Sequence, residues 1–480
     1  MAKRRTLLKS IFESIGKPVD TMSPEPGQRL RLSGRRLSLP LPTAPVEVEL
    51  GKERLHIQKE IRCDGASASG PPDLIVFNPD LDSKQINYTL RIRPGESLHI
   101  SHDHPNQEHL FRTPREAFRR NFRLDYEGEN LVFRNPISEL GTFVTLLEQK
   151  IEQSPIVIRR QGVIDKIIAL YGGPLETMPR DEALNTLQLV NRLLQDDAFR
   201  PKDTSGIAGG LLELPAHVTP VVIGDLHANI DNLLKILIEN AFMRALEKET
   251  GVLVFLGDLV QPDAEPYDDM DSSVLMMDFL FKLKLRFPEG VFFLRGNHDS
   301  FSTEVSKDLV PQAVLWRKKL EQIRGTEYRE QMAQFYDLCP VVALSGDFVA
   351  CHAGPPLNKI DFDKLVNIRS FPDLLHELMW NRVRRPGYPS GYSATDVRRF
   401  RKALNLDKEL PFLVSHTPYS DTGTLWCDVA GIQCHHILYS SHSNRVAVFI
   451  RVNGQMVPQV YAAEPLLEWT NNRAKDLVED

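Results

Sequence analysis

Five hydrophobic runs in the second half of the chain each end in acidic, amide or imidazole side chains next to a small residue. The segments are VVIGDLHAN (221–229), VLVFLGDLV (252–260), VFFLRGNHDS (291–300), FVACHAGPP (348–356) and FLVSHTPYS (412–420). Short runs of apolar and β-branched residues of this kind predict buried strands. The potential metal ligands that follow them are Asp225, His227, Asp258, Asn297, His352 and His416. Oxygen and imidazole donors in this number predict a site for two divalent ions.

Each of these segments, taken alone, has an ordinary structural explanation. Asp and Gly favour turns, so a single Gly-Asp pair after a strand most often marks only the end of that strand. A single histidine such as His352 most often packs in a core or caps an element. Five such strand ends between residues 221 and 420 are harder to explain as unrelated turns. The set as a whole therefore favours one shared site.

The order of these motifs resembles the phosphoprotein phosphatase branch of the calcineurin-like metallophosphoesterases. The resemblance covers about residues 217–465 and includes FYDLCPVVALSGDFVACHAG (335–354), LMW (378–380) and HHILYSSHSN (435–444). It implies an α/β fold in which two mixed sheets form a β-sandwich flanked by helices. It also implies a hydrolase of phosphoric ester bonds. The expected substrates are phosphoproteins, at Ser/Thr or Tyr, cleaved by direct attack of a metal-bridging hydroxide.

The resemblance also assigns roles to individual residues. It gives Asp225 and His227 to the first ion and makes Asp258 a bridge between both ions. The second ion is assigned Asn297, His352 and His416. Mn²⁺ is favoured for both positions, and Fe, Zn and Mg are compatible with the same donors.

Two further residues receive catalytic roles from the same resemblance. His298 is expected to be the general acid for the leaving group, because an imidazole titrates near neutral pH. Arg295 matches an arginine that faces the phosphate, where a guanidinium fork suits the phosphoryl oxygens.

The second motif departs from the family pattern. It reads GDLVQPD where the family has GD-x-x-DRG, so Gln261 occupies the position of the carboxylate that orients the general acid, and Pro262 that of a phosphate-binding arginine. Asp263 or Asp299 could supply the missing carboxylate. Loss of one phosphate donor could lower the rate about 10²–10³-fold.

Two other departures are visible. The first motif ends in Ala228 where the family has Gly, and WNRVRRPGY holds an arginine cluster in which Arg384 or Arg385 aligns best with a phosphate contact. These changes indicate a divergent, bacterial-type or effector-type member whose metal ligands are complete.

The rest of the chain changes character in stages. We expect a basic, Pro-rich tail and linker (1–46), a small β-domain (47–146), a helical connector (147–215), the phosphatase domain (216–465) and a C-terminal tail (466–480). The β-domain faintly resembles a forkhead-associated (FHA) domain, with His102, Phe118 and Leu140 where that family binds phosphothreonine. This resemblance implies a degraded phosphopeptide pocket, and an unrelated β-domain that packs on the catalytic half stays open. A protein partner is expected to bind through this domain, if one binds at all.

Composition narrows the class of protein. A net charge of −6 argues against nucleic acid as a partner. No apolar run reaches the roughly 18 residues that a membrane span needs. Five cysteines without a CxxC pair predict reduced thiols and a cytoplasmic location, with delivery into a host cell left open.

Two alternative functions stay open at this point. A dinucleoside-polyphosphate hydrolase would use the same metal motifs. A catalytically impaired phosphatase fold would keep the metal ligands for stability and act only in binding.

Overall fold

The protein is described here from a computed structural model. The structure describes residues 20–21, 27–32, 36–41, 44–50, 53–59, 74–77, 89–100, 122–134, 142–147, 155–239, 241–385, 390–420, 423–442, 445–452 and 455–479. The chain divides into two compact units. They comprise residues 1–162 with 239–241, and residues 163–238 with 242–480.

The first unit contains two antiparallel-rich sheets. Its strands are β1 (Asp20–Thr21), β2 (Arg29–Leu32), β3 (Arg36–Pro40), β4 (Val46–Leu50), β5 (Glu53–Lys59), β6 (Leu74–Phe77), β7 (Thr89–Ile92), β8 (Ser97–Ile100), β9 (Phe122–Glu127), β10 (Asn130–Arg134) and β11 (Thr142–Leu146). One sheet has the order β1-β3-β10-β9-β8 and the other β2-β11-β4-β5-β6-β7. The all-β character predicted for this region is confirmed.

The β-domain begins earlier than the sequence boundary at residue 47. Strands β2 and β3 belong to its two sheets, and Leu32, Leu37 and Leu39 are buried in its core. The segment RLRLSGRRLSLP alternates leucine with polar residues, which is the period of a half-buried strand. Its Ser, Gly and Pro content favours a linker, but the alternating leucines form strands that pack into the core.

The positions expected to mark the degraded phosphothreonine pocket lie outside the described residues. They are His102, Phe118 and Leu140. The FHA-like character of this unit therefore stays a prediction.

The second unit is an α/β structure. Its strands are β12 (Leu211–Glu213), β13 (Thr219–Ile223), β14 (Gly251–Phe255), β15 (Val291–Phe293), β16 (Val342–Leu344), β17 (Val349–Cys351), β18 (Phe412–Val414), β19 (Leu425–Trp426), β20 (His435–Leu438), β21 (Arg445–Val452) and β22 (Gln455–Ala462). The helices, the first of which begins in the preceding unit, are α1 (Pro155–Tyr171), α2 (Arg180–Gln195), α3 (Ile230–Ile238), α4 (Phe242–Glu247), α5 (Asp271–Arg286), α6 (Gln312–Arg324), α7 (Thr326–Leu338), α8 (Phe362–Val366), α9 (Pro372–Trp380), α10 (Ala394–Ala403) and α11 (Leu466–Glu479).

Two mixed sheets pack face to face in this unit. One has the order β12-β16-β17-β18-β20-β19 and the other β15-β14-β13-β21-β22. Val222, Val254 and Phe292 are in register across the second sheet and share one buried cluster with Ala350 and Leu413 of the first. The predicted sandwich of two mixed sheets flanked by helices is confirmed.

The C-terminal segment is a helix rather than a tail. Leu466, Thr470 and Ala474 are buried along one face of α11, at the four-residue spacing of a helix. The helix packs against α3, where the Asp231 carboxylate accepts the Leu467 N–H at 2.7 Å. The helices of the described part of the chain include none both long and apolar enough to cross a membrane.

Parallel pairing brings the polar strand ends together. β13, β14 and β15 run parallel to one another, and so do β17, β18 and β20 in the facing sheet. The carboxyl ends of parallel neighbours meet at one edge, where ligand sites of α/β sheets gather. The segments after these strands therefore meet at the same end of the sandwich.

A buried ion pair joins the helices of this unit to the segment before α2. The Arg324 guanidinium lies 2.6 Å from the Asp278 carboxylate, and both are almost fully buried. The Asp278 carboxylate also accepts the Met178 N–H at 2.8 Å, and Arg324 donates to the Met178 carbonyl. Loss of one partner would leave the other charge without compensation in the core.

We expect Asp278→Ala to lower the free energy of unfolding by about 3–5 kcal/mol, because the Arg324 charge stays buried. The double variant Asp278→Leu with Arg324→Met should recover much of that loss, since neither charge remains. Urea unfolding of the three proteins measures both effects. A double variant less stable than Asp278→Ala would contradict this account.

Candidate metal centre

The predicted metal ligands converge on loops that follow five strands. Asp225 follows β13, Asp258 follows β14 and Asn297 follows β15, while His352 and His416 follow β17 and β18. Asp225, Asp258, Asn297 and His352 are buried, as is the sixth ligand His227. His416 is half-buried, with both of its ring nitrogens inside. The six side chains thus come from both sheets to one interior position.

Several of these residues adopt left-handed backbone conformations. φ is 43° at His227, 50° at Asp258 and 65° at His416. Such conformations of non-glycine residues cost roughly 1–3 kcal/mol each and cluster at functional sites. A Cβ at Gly296 would overlap the Asp258 carboxylate, so glycine there lets the two loops touch.

The ligand atoms form two overlapping groups of three. One group is Asp225, His227 and Asp258, and the other is Asp258, His352 and His416; within each group the ligand atoms lie within 4.8 Å of one another. His227 Nε2 is 3.9 Å from both Asp225 Oδ2 and Asp258 Oδ2. Asp258 is common to both groups, which is the geometry of a carboxylate between two ions.

Asn297 adjoins the second group. Its Oδ1 lies 3.0 Å from His352 Nε2, and that nitrogen is 3.3 Å from Asp258 Oδ2. The amide oxygen therefore faces the same space as the imidazole.

Backbone carbonyls orient two of the histidines. His227 Nδ1 lies 2.9 Å from the Gln261 carbonyl, and His352 Nδ1 lies 2.9 Å from the Leu256 carbonyl. A carbonyl can only accept, so Nδ1 carries the proton in each ring. This leaves the Nε2 lone pair directed into the site, as in metal-binding histidines.

The electrostatics of the site favour a bound cation. Burial and the neighbouring Asp258 raise the pKa of Asp225 to about 7. Asp225 Oδ2 and both ring nitrogens of His416 are buried without a hydrogen-bond partner among the described residues. Divalent ions would satisfy these atoms and neutralise the two carboxylates, so the donor set fits the expected pair of ions.

His298 lies beside the centre and is oriented by Gln261. The ring nitrogen Nδ1 is 2.8 Å from Gln261 Oε1, and the backbone carbonyl of His298 accepts from Gln261 Nε2 at 3.1 Å. The backbone N–H of His298 donates to Asp258 Oδ1 at 2.8 Å. Burial and the nearby His227 lower the pKa of His298 to about 4. The neutral Gln261 amide cannot counteract this lowering, whereas a carboxylate in its place would stabilise the imidazolium and raise the pKa of His298.

The two carboxylates expected to replace the missing one have other partners, which corrects that expectation. Asp299 accepts the backbone N–H groups of Asp258 and Gly296, both at 2.9 Å, and so fixes the two ligand loops. Asp263 accepts from Lys307 and from the Tyr439 hydroxyl. The group that contacts the imidazole of His298 is Gln261 itself.

The arginines named from the sequence lie in different surroundings. Arg295 pairs with Asp337 at 2.9 Å, and its Nε is buried without a partner among the described residues. Arg384 donates to the Gly391 carbonyl at 3.2 Å, and Arg385 to the Pro418 carbonyl at 2.6 Å. A neighbouring arginine, Arg382, affects a candidate ligand. The pKa of His416 is lowered by burial first, then by the charge of His352 and then by that of Arg382.

Sequence reasoning missed three polar contacts of the centre. Ser415 Oγ donates to Asp225 Oδ1 at 2.5 Å, and Lys307 and Tyr439 hold Asp263. Ser415 directly precedes His416 in a segment already singled out, so its position was a usable signal. Lys307 lies between motifs and carried none.

Comparison with known proteins supports the assignment of the domain. Residues 219–420 match the family model of the calcineurin-like phosphoesterases. The resemblance predicted from the motifs is thereby confirmed: this part of the chain is a calcineurin-like phosphoesterase domain.

Curated relatives are protein phosphatases of low identity. The serine/threonine-protein phosphatase 2B catalytic subunit A2 of Saccharomyces cerevisiae is 28% identical over 175 residues, which are 35% of this chain and 26% of that protein. The serine/threonine-protein phosphatase PP2A-like PPG1 of Candida albicans is 29% identical over 174 residues, which are 33% of this chain and 36% of that protein. The chain thus spans well under half the length of these relatives.

Two solved structures show a weak overall likeness. A Saccharomyces cerevisiae serine/threonine phosphatase similar to human PP5 has a TM-score of 0.45 at 15% identity, covering 60% of this chain and 91% of that one. A cold-active protein-tyrosine phosphatase of a psychrophilic Shewanella has a TM-score of 0.36 at 11% identity, covering 83% and 97%.

We expect Asp258→Asn to reduce the metal content from two ions per chain to one or fewer, because the variant removes the charge that both groups share. Metal analysis by mass spectrometry after dialysis measures this content. Asp263→Asn is the matched control, since Asp263 belongs to neither group. Full metal content in Asp258→Asn would contradict the shared role.

Metal binding should weaken as the pH falls below about 7. Asp225, with its pKa raised to about 7, takes up a proton there in the metal-free protein. A divalent ion binds only the ionised carboxylate, so the proton competes with it. The apparent Kd for Mn²⁺ should rise with falling pH, approaching about tenfold per pH unit well below pH 7. Titration calorimetry that gave the same Kd at pH 7.5 and 5.5 would contradict the proposed ligand.

Proposed function

We propose that the chain is a metal-dependent phosphatase that hydrolyses phosphomonoesters, with phosphoproteins as its substrates. The observation that carries this proposal is the pair of buried ligand groups that share Asp258, with His298 beside them. Low-identity relatives that are serine/threonine-protein phosphatases support the substrate class. The expected reaction is in-line attack of water on phosphorus without a covalent enzyme intermediate.

The ligand residues define where the phosphoryl group would sit. When bound, two divalent ions activate a water molecule and neutralise charge on the phosphoryl oxygens. Asp225 and His227 would hold one ion, and Asn297, His352 and His416 the other, with Asp258 between them. Asp299 keeps the loops of Asp258 and Asn297 in place through their backbone N–H groups. Mn²⁺ is our expectation for both positions.

Arg295 is the proposed phosphate contact. Asp337 holds one of its terminal nitrogens at 2.9 Å, and the partner-free Nε leaves donor capacity for a phosphoryl oxygen. A guanidinium with one edge fixed and another free is preorganised for this task.

His298 is the proposed proton donor to the leaving oxygen. Its Nδ1 is held by Gln261, which leaves Nε2 to face the substrate. The pKa of His298 is lowered to about 4, and its Nδ1–H donates to Gln261 Oε1, so most rings at pH 7 carry no proton on Nε2. Only the small imidazolium fraction can protonate the leaving oxygen. Substrates whose leaving group needs little protonation, such as aryl phosphates, should therefore react faster than alkyl phosphates.

The test of the function is hydrolysis of para-nitrophenyl phosphate by metal-stripped protein with and without Mn²⁺. We expect turnover only with metal, and loss of that turnover in Asp258→Asn. A panel with phosphopeptides and a dinucleoside polyphosphate then ranks the substrates. Absence of turnover on every substrate and with every metal would reject the enzyme and favour a binding protein with a phosphatase fold.

We expect His298→Asn to lower kcat about 10²–10³-fold on a phosphoserine peptide and much less on para-nitrophenyl phosphate, because only the alkyl leaving group needs the proton. Metal content should stay at the wild-type level, since His298 lies outside both ligand groups. Steady-state kinetics and metal analysis on the same preparation check both statements. Loss of metal in this variant would make His298 a ligand rather than an acid.

A further inference from the structure

Three arginines line the edge of the metal centre next to the second ligand group. We call Arg382, Arg384 and Arg385 the arginine rim. The Trp380 ring, two residues before Arg382, lies 6.2 Å from the ring of the ligand His416. Arg385 donates to the carbonyl of Pro418 at 2.6 Å, only two residues after that ligand. The rim therefore borders the position of the reacting phosphate.

The local backbone fixes the direction of the rim. Val383 pairs with Tyr392 in an isolated bridge, and the Arg384 N–H donates to the Tyr392 carbonyl at 2.8 Å. Both Val383 and Tyr392 are buried. Because side chains alternate along an extended segment, Arg382 and Arg384 lie on the face opposite Val383, and both are exposed. Ordered backbone thus sets the direction of Arg382 and Arg384, while the contact with the Pro418 carbonyl holds Arg385.

The rim has no acidic partner in the part of the chain that the structure describes. Other arginines nearby do: Arg399 pairs with Asp396 at 2.7 Å, and Arg295 pairs with Asp337. Burial and the neighbouring Arg385 lower the pKa of Arg382, so the two guanidinium groups lie close enough to repel. An anion placed between them would relieve this repulsion.

The segment that contains the arginine rim has a net positive charge, opposite in sign to that of the whole protein. Residues 382–402 hold seven basic residues and one acidic residue, whereas the whole chain has a net charge of −6. A concentrated positive field next to a reaction site raises the local concentration of negatively charged substrates.

We propose that the arginine rim binds acidic side chains that flank the phosphorylated residue, so that the preferred substrates are phosphopeptides with Asp or Glu beside the phosphate. This inference rests on the proposed function, because the metal centre supplies the position of the phosphate. In the proposed function, Arg295 and the two ions already bind the oxygens of the reacting phosphoryl group. The three guanidinium groups of the rim are therefore available for other anionic groups of the substrate. Carboxylates pair with guanidinium forks in the same planar geometry as phosphate.

The test compares kcat/KM for three phosphopeptides that differ only in acidic, neutral or basic flanking residues. We expect the acidic peptide to exceed the neutral one about tenfold at low salt, with the basic peptide slowest. The preference should shrink in about 0.5 M salt, because exposed charge pairs are screened. Arg384→Gln with Arg385→Gln should reduce the acidic preference to below about threefold.

Arg317→Gln is the matched control. Arg317 is an exposed arginine of α6 that pairs with Glu321, and the variant should keep the full preference. Equal kcat/KM values for the three peptides in the wild-type protein would overturn the inference while leaving the phosphatase in place. The inference would also be overturned if the rim variants changed kcat/KM for a dinucleoside polyphosphate and for none of the three peptides.

A binding measurement separates failure of the rim from failure of the enzyme. Fluorescence anisotropy of the same acidic peptide without its phosphate needs no turnover. Salt-sensitive binding that is lost in the rim variant supports the inference even if no substrate is hydrolysed. An acidic peptide that binds no better than the neutral one overturns it.

Discussion

The structure of the second unit depends on two buried carboxylates that lie too close together to be charged without compensation. Asp225 and Asp258 are fully buried, and burial raises the pKa of Asp225 to about 7. The Asp258 loop is held against the loop after β15, because Gly296 leaves room for the Asp258 carboxylate and Asp299 accepts the backbone N–H groups of both Asp258 and Gly296. Divalent cations would neutralise these carboxylates, so an arrangement that destabilises the metal-free fold is suited to a metal centre.

The neighbourhood of His298 shows how one substitution changes chemistry without changing geometry. Gln261 holds the imidazole at 2.8 Å, so the ring is positioned. A neutral amide supplies no charge to stabilise the imidazolium, and burial then lowers the pKa of His298. Positioning and proton affinity are thus separable properties. The centre keeps the first and gives up much of the second, which favours substrates with good leaving groups.

The arginine rim adds a second level of selection to this chemistry. The metal ions and Arg295 would act on the phosphoryl group of any monoester. The rim lies beside that position and lacks acidic partners among the described residues, so it would act on what surrounds the phosphate. Selection by leaving group and selection by flanking charge are independent, because one depends on His298 and the other on exposed guanidinium groups.

The sequence by itself predicted the candidate ligands and determined the sandwich of mixed sheets, because strand ends, metal donors and apolar periodicity are local patterns. It did not determine which partners those residues would find. The carboxylates of Asp263 and Asp299 were plausible partners for His298, yet Gln261 holds it, since contacts between loops depend on backbone paths that spacing does not encode. The strands β2 and β3 were predicted to be linker, because their alternating leucines are interspersed with Ser, Gly and Pro. Only the tertiary structure decided the direction of the arginine rim, because the pairing of Val383 with Tyr392 orients that segment and the Pro418 carbonyl holds Arg385.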